Sequence, residues 1–207
     1  MHPNPSFRGV EAARNLAFAR DRAFGVLTMA GEEGPLVSHI PFLLSEDGGS
    51  ITAHIVKSNP IWRMLKESPR PALLAISGPD GYVSPDWYGA SDQVPTWNYV
   101  AVHLRGEARL ADEASLRSHL DALSASFEAR LAPKPPWTAD KMDEDTLKRM
   151  MRMIAPIEMT VADVQGTWKL NQNKPEAQRL GAAAEIEASG AGVELAALAA
   201  LMKAPPA

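Results

Sequence analysis

VPTWNYVAVHLR, Val94 to Arg105, decides the reading of this chain. At the two-residue period of a strand it separates into two faces. Val100, Val102 and Leu104, continued by Ala108 and Leu110, form an apolar face. Trp97, Tyr99, His103 and Arg105, continued by Glu107 and Arg109, form a face that runs from aromatic to charged. Side chains two apart on a strand stand roughly 7 Å apart. Trp97, Tyr99, His103 and Arg105 are therefore expected to line one groove, suited to a flat, anionic small molecule. Large aromatics on a sheet face also pack against a helix or a partner subunit.

The flanking sequence extends the strand into a sheet. Phe24–Met29 reads as a strand and Gly31–Gly34 as a turn. Leu36–Leu44 is a second strand, with Leu36, Ile40, Phe42 and Leu44 on one side and Val37 and His39 on the other. Glu46-Asp47-Gly48-Gly49 is a hairpin signal, and Ile51–Val56 is the returning strand. A hairpin centred on Asp47 and Gly48 brings His54 diagonally close to His39. Pro71–Ser77 is an apolar run of strand length, broken by Gly78-Pro79-Asp80-Gly81 before Tyr82 and Val83. Pro156–Val161 reads as the last strand.

Helices fall mostly late. Val10–Arg20 is amphipathic; Pro60 opens a helix behind the N-cap Asn59. Asp112 caps a helix to about Leu131 with the stripe Leu116, Leu120, Leu123 and Phe127. Asp140–Ile154 is another, acidic at its start and basic toward its end, in the sense the helix dipole favours. Pro175 opens a helix to about Ser189, and Val193–Met202 forms a short one. Strands first and helices later predict an antiparallel sheet or small barrel with appended helices, an α+β fold that is mainly β.

Composition narrows the function. The chain has 207 residues, 45% of them hydrophobic, and no cysteine, which removes thiolate chemistry. No apolar run nears the roughly 20 residues that span a bilayer. With no signal-peptide pattern at the N-terminus, a cytoplasmic protein without membrane attachment is expected. A net charge of −4, without a basic stripe or a helix-turn-helix, gives direct DNA binding only weak support.

Two sites share one physical logic. Lys57-Ser58-Asn59-Pro60 lies between a strand and a helix start, where amides, a lysine and a hydroxyl attract anions. Lys169–Pro175 repeats the pattern, with Trp168, Gln172 and Asn173 adding a stacking surface and amide donors. The plainer readings are a capped helix with an exposed lysine and a polar loop. His39, His54 and His103 fall on outward faces, but no tight histidine spacing indicates a metal. No GxSxG elbow, GxGxxG or P-loop is present. Asp143-Glu144-Asp145 reads as a solvated helix start.

Five motifs spread along the chain carry a resemblance: SHIPFLL (Ser38–Leu44), AHIVKSNPIWR (Ala53–Arg63), GYVSPDWY (Gly81–Tyr88), VPTWNYVAVHLRG (Val94–Gly106) and GTWKLNQNKPEAQR (Gly166–Arg179). In content, order and spacing the chain resembles the PaiB-type FMN-binding negative transcriptional regulators. Where that family often has serine in its late motif, this chain has Asn171. The resemblance implies an antiparallel Greek-key split β-barrel of the pyridoxamine-phosphate-oxidase type. It divides the chain into a barrel domain with inserted helices, residues 1–165, and a C-terminal loop and helices, residues 166–207, packing on the barrel and the dimer partner. It also implies a homodimer with FMN at the subunit interface. The cofactor-binding positions carried over are His39, His54, Lys57, Ser58 and Asn59 on the phosphate side. Trp97 and Tyr99 would meet the ring and ribityl side, with Trp168, Lys169 and Gln172 reaching from the partner. A regulator, an FMN-dependent oxidoreductase, and a haem-binding or haem-degrading protein are the readings it leaves open.

Overall fold

A computed structural model describes residues 1–206. Among these residues there are seven strands: β1 (Phe24–Gly31), β2 (Gly34–Leu44), β3 (Ser50–Val56), β4 (Arg70–Val83), β5 (Thr96–Leu110), β6 (Ile154–Lys169) and β7 (Gly192–Val193). Six α-helices join them: α1 (Ala12–Arg22), α2 (Pro60–Glu67), α3 (Leu116–Glu128), α4 (Glu144–Met151), α5 (Glu176–Ile186) and α6 (Leu195–Lys203). The strand order is β1-β2-β3-β6-β5-β4-β7, and β1 also pairs with β4, so six strands close on themselves. This is the expected α+β split barrel.

The chain forms two compact units. The second unit comprises residues 19–75 and 104–163; the first comprises 1–18, 76–103 and 164–207. In the second unit β1 and β2 pair antiparallel from Phe24↔Pro41 to Gly31↔Gly34. β2 and β3 pair through Phe42↔Ala53 and Leu44↔Ile51, and β3 pairs with β6 from Ser50↔Thr160 to Val56↔Ile154. The hairpin between β2 and β3 is held by Asp47, whose Oδ1 accepts from Ser45 Oγ at 2.6 Å and from Gly49 N at 2.9 Å. This register sends Leu27, Phe42, Ile51, Ile55 and Leu74 into the core, all under 5% exposed. Burying each such side chain contributes about 1.5–3 kcal/mol. The first unit has its own core, in which Val83, Tyr88, Val100 and Leu170 meet Ile186, Leu198 and Met202.

Three expectations need correction. Gly78–Gly81 does not interrupt β4, which runs through it. Its glycines serve close packing instead: a Cβ on Gly78 would stand 2.6 Å from the Phe18 ring, and one on Gly81 would stand 2.8 Å from Leu195 Cδ2. Second, the last long strand reaches Lys169, so Trp168 and Lys169 are strand residues, not loop residues. Third, the helix expected over Asp140–Ile154 shortens to Glu144–Met151, because Asp143 is the N-cap, accepting from Thr146 N at 2.9 Å, and Ile154 already belongs to β6.

The tightest backbone approach lies at Gly106, where a Cβ would fall 1.7 Å from the Thr160 carbonyl oxygen. Gly106→Ala must push β5 and β6 apart and is expected to cost roughly 3 kcal/mol in urea unfolding. Gly9→Ala, with nothing within 4 Å of the added carbon, is expected to change stability by less than about 0.5 kcal/mol. Equal effects from the two changes would contradict the assigned β5–β6 contact.

Candidate functional site

The candidate residues of the second unit gather at two places. The first is the start of α2. Lys57 ends the β3 segment with its N–H bonded to the Met153 carbonyl at 2.8 Å. Asn59 is the N-cap: its Oδ1 accepts from Ile61 N at 2.9 Å, and Pro60 occupies the first helical position. The amide of the same side chain donates to Ser38 Oγ at 3.2 Å, tying β2 to the helix start. Ser58 is exposed, and its side chain has no hydrogen-bond partner among the described residues. The Lys57 ammonium pairs with Glu113 at 2.8 Å. That carboxylate is three-quarters exposed and easily exchanged for another anion. A positive side chain, an unpartnered hydroxyl and an oriented helix start stand together here, groups of the kind that attract anions. His39, next to Ser38, is exposed and stacks on Phe24 with ring centroids 6.5 Å apart.

The second place is a histidine pair. His54 Nδ1 lies 3.2 Å from His119 Nε2, and His119 Nδ1 lies 3.3 Å from Thr52 Oγ1. Register places His54 on the same side of the β2–β3 ribbon as His39, but each imidazole has another partner. His119 is buried on α3, between Leu116 and Leu123. It lies three residues after one stripe leucine and four before the other, and it is not among the sequence-predicted site residues. That position put a polar ring on the core face. Only one proton fits between the facing nitrogens, so the two rings cannot both be charged. Burial lowers the pKa of both imidazoles, and with the charge of His54 as a second cause His119 falls to about 4.

In the first unit the outward face of β5 is as expected. Trp97 is 46% exposed, Tyr99 is half-buried, and the Trp97 indole meets Tyr82 edge-on at 6.3 Å. On the same strand Asn98 is wholly buried, its Nδ2 donating to Met202 Sδ at 3.4 Å; no apolar pattern could have signalled it. The late motif behaves differently from its polar appearance. Trp168 is 3% exposed, its Nε1 donates to Asn15 at 2.8 Å, and Phe18 and Arg14 cover its ring. Gln172 spends its amide on its own backbone, accepting from Leu170 N and donating to the carbonyls of Ser6 and Trp168. Lys169 donates to Thr96, and its pKa is lowered by burial first and by Lys174 second. Asn171 has φ of 62°, is buried, and donates to the Tyr88 hydroxyl at 3.2 Å. Asparagine adopts this left-handed conformation more readily than serine, which gives the departure at this position a structural role.

Among the described residues no helix is long and apolar enough to cross a membrane, and no group of three metal-ligating side chains stands together.

The fold is a split barrel with Lys57, Ser58 and Asn59 gathered at a helix start. The family described as "Putative FMN-binding domain" matches residues 1–163, and the chain belongs to it. It is an FMN-binding split-barrel protein of the PaiB type. A Bacillus subtilis relative, protease synthase and sporulation protein PAI 2, is 28% identical over 183 residues, covering 87% of this chain and 86% of the relative. Among solved structures, the FAD and haem binding protein of Mycobacterium smegmatis has a TM-score of 0.57 at 17% identity, covering 79% of this chain and 73% of its own. The flavocytochrome Anf3 of Azotobacter vinelandii has a TM-score of 0.55 at 18% identity, covering 81% and 72%. At these identities the two structures establish the fold. The helix start fits the phosphate of FMN: it offers a cation, a hydroxyl with no competing partner and a capped, rigid backbone.

The histidine pair makes stability pH-dependent. Unfolded imidazoles protonate near pH 6.5, whereas folded His119 resists protonation to about pH 4. Between these values the unfolded state binds more protons, so stability is lost as pH falls through this window. The expected loss from His119 is on the order of 2 kcal/mol. His119→Gln is expected to flatten the slope of urea midpoints measured from pH 7 to 4.5. An unchanged slope would place the acid sensitivity elsewhere.

Proposed function

We propose that this chain acts as an FMN-dependent regulator, a homodimer with the flavin phosphate held at the start of α2 by Lys57, Ser58 and Asn59. The observation that carries the reading is the corner itself. Asn59 both caps α2 and anchors Ser38, while Lys57 has only an exposed carboxylate as its partner. The exposed face of Trp97 and Tyr99 is the aromatic surface proposed for the isoalloxazine ring. Trp168 and Gln172 act through the backbone they hold, because their polar groups are already bonded within the chain. Lys169, next to Thr96, remains a proposed contact for the flavin's polar edge. His39 and His54 flank the phosphate side by motif position. FMN, when bound, supplies the redox chemistry, and the protein supplies position and charge.

The regulatory part of the proposal is supported by the name of the Bacillus subtilis relative. With a net charge of −4, action through a partner protein fits this chain better than direct phosphate-driven contact with DNA.

The phosphate assignment makes a selective prediction. Lys57→Ala is expected to weaken FMN about tenfold, followed by flavin fluorescence, and to leave riboflavin unchanged, because only FMN carries the phosphate. Glu113→Gln, which releases the lysine, is expected to tighten FMN up to about fivefold at low salt. Equal losses for both flavins in Lys57→Ala would move the phosphate elsewhere. Light scattering tests the dimer: a monomer with FMN bound would overturn the interface assignment.

A further inference from the structure

Beside α2 the second unit has a groove of about 640 Å³ that shares only Lys57 and Ser58 with the flavin reading. It is lined by α3 through Leu120 and Ser124 and by α4 through Leu147, Met150 and Met151. Trp137, Met142, Met153 and Ile154, the first residue of β6, add to the lining. A neighbouring space of about 530 Å³ continues past Trp137 along α3.

Three observations point to an occupant. The first is size and chemistry. A cleft of several hundred cubic ångströms with apolar walls and a few polar groups suits a drug-sized molecule. Four methionines supply a soft, adaptable lining. The second is α4. It has no buried residue at all, and its apolar side chains line the groove. A helix held this way leaves its own packing incomplete. Met150 and Met153 remain 50% and 58% exposed, and Val56 and Trp137 add 50% and 37%. The third is charge. Apart from Lys57 and Ser58 at the α2 corner, the polar side chains of the lining are Ser124 and the mutually paired Arg117 and Asp121, at 2.8 Å. The body of the groove therefore offers no unmatched charge to a charged ligand.

We propose that this groove binds an uncharged, largely apolar small molecule, and that binding completes the packing of α4. It is a second site beyond the flavin reading, bordering the proposed phosphate corner at Lys57 and Ser58.

The test uses the full chain with two dyes, uncharged Nile red and anionic anilinonaphthalene sulfonate. Nile red is expected to bind saturably, one per chain, with blue-shifted emission, and at least threefold tighter than the anionic dye. Hydrogen exchange of residues 144–154 is expected to slow at least threefold when Nile red is bound. Ser124→Trp, which fills the groove, is expected to abolish binding. Met150→Glu, at an exposed position that leaves folding intact, is expected to weaken it at least fivefold. Unchanged Nile red binding in both variants would overturn the site, and a preference for the anionic dye would overturn its chemistry. Displacement of Nile red by FMN would assign the groove to the flavin. A wild-type dimer that Met150→Glu converts to a monomer would mean that a second copy covers the groove, and would overturn the proposal equally.

Discussion

Everything else in this molecule is built around the alternation along β5. Asn98, Val100, Val102 and Leu104 are each 2% exposed or less, while Trp97, Tyr99, His103 and Arg105 between them are not buried. A slip of one residue would exchange these sets, turning an arginine and a histidine inward and four core positions outward. Burying an unpaired arginine alone would exceed any gain from the slip. The strand therefore has one admissible register. Once it is set, the approach of Gly106 to Thr160 follows, because only a residue without a side-chain carbon fits there.

The same logic separates what the sequence revealed from what it concealed. The β1–β2 and β2–β3 hairpins, the Asn59 cap and the two faces of β5 were legible because each depends on residues a few positions apart. The continuity of β4 was not. Gly78 and Gly81 look like a break, and their reason lies in Phe18, Val100 and Leu195, far away in sequence. Trp168 looked like a ligand surface because its neighbours are polar. Its burial depends on Asn15, a buried polar residue from the other end of the chain that satisfies the indole N–H.

His119 shows a third kind of difficulty. Its place on the helical stripe was visible, but a histidine on a core face has an ordinary explanation until a partner is known. The partner is His54, brought opposite by the β3 register. Within the candidate site, then, the helix start could be read directly from KSNP. The histidine pair required the fold.

Lys57 joins the two proposed binding features of the second unit through different parts of one side chain. Its ammonium meets Glu113, where an anion would compete, so that contact is electrostatic and weakens with salt. Its methylene stem borders the groove, where contact is apolar and indifferent to salt. A ligand in the groove and a phosphate at the helix start would therefore touch the same residue without demanding the same atoms. Their influence on each other would pass through the position of the lysine stem. Truncating it to alanine removes both contacts, whereas methionine keeps the apolar stem and deletes only the charge.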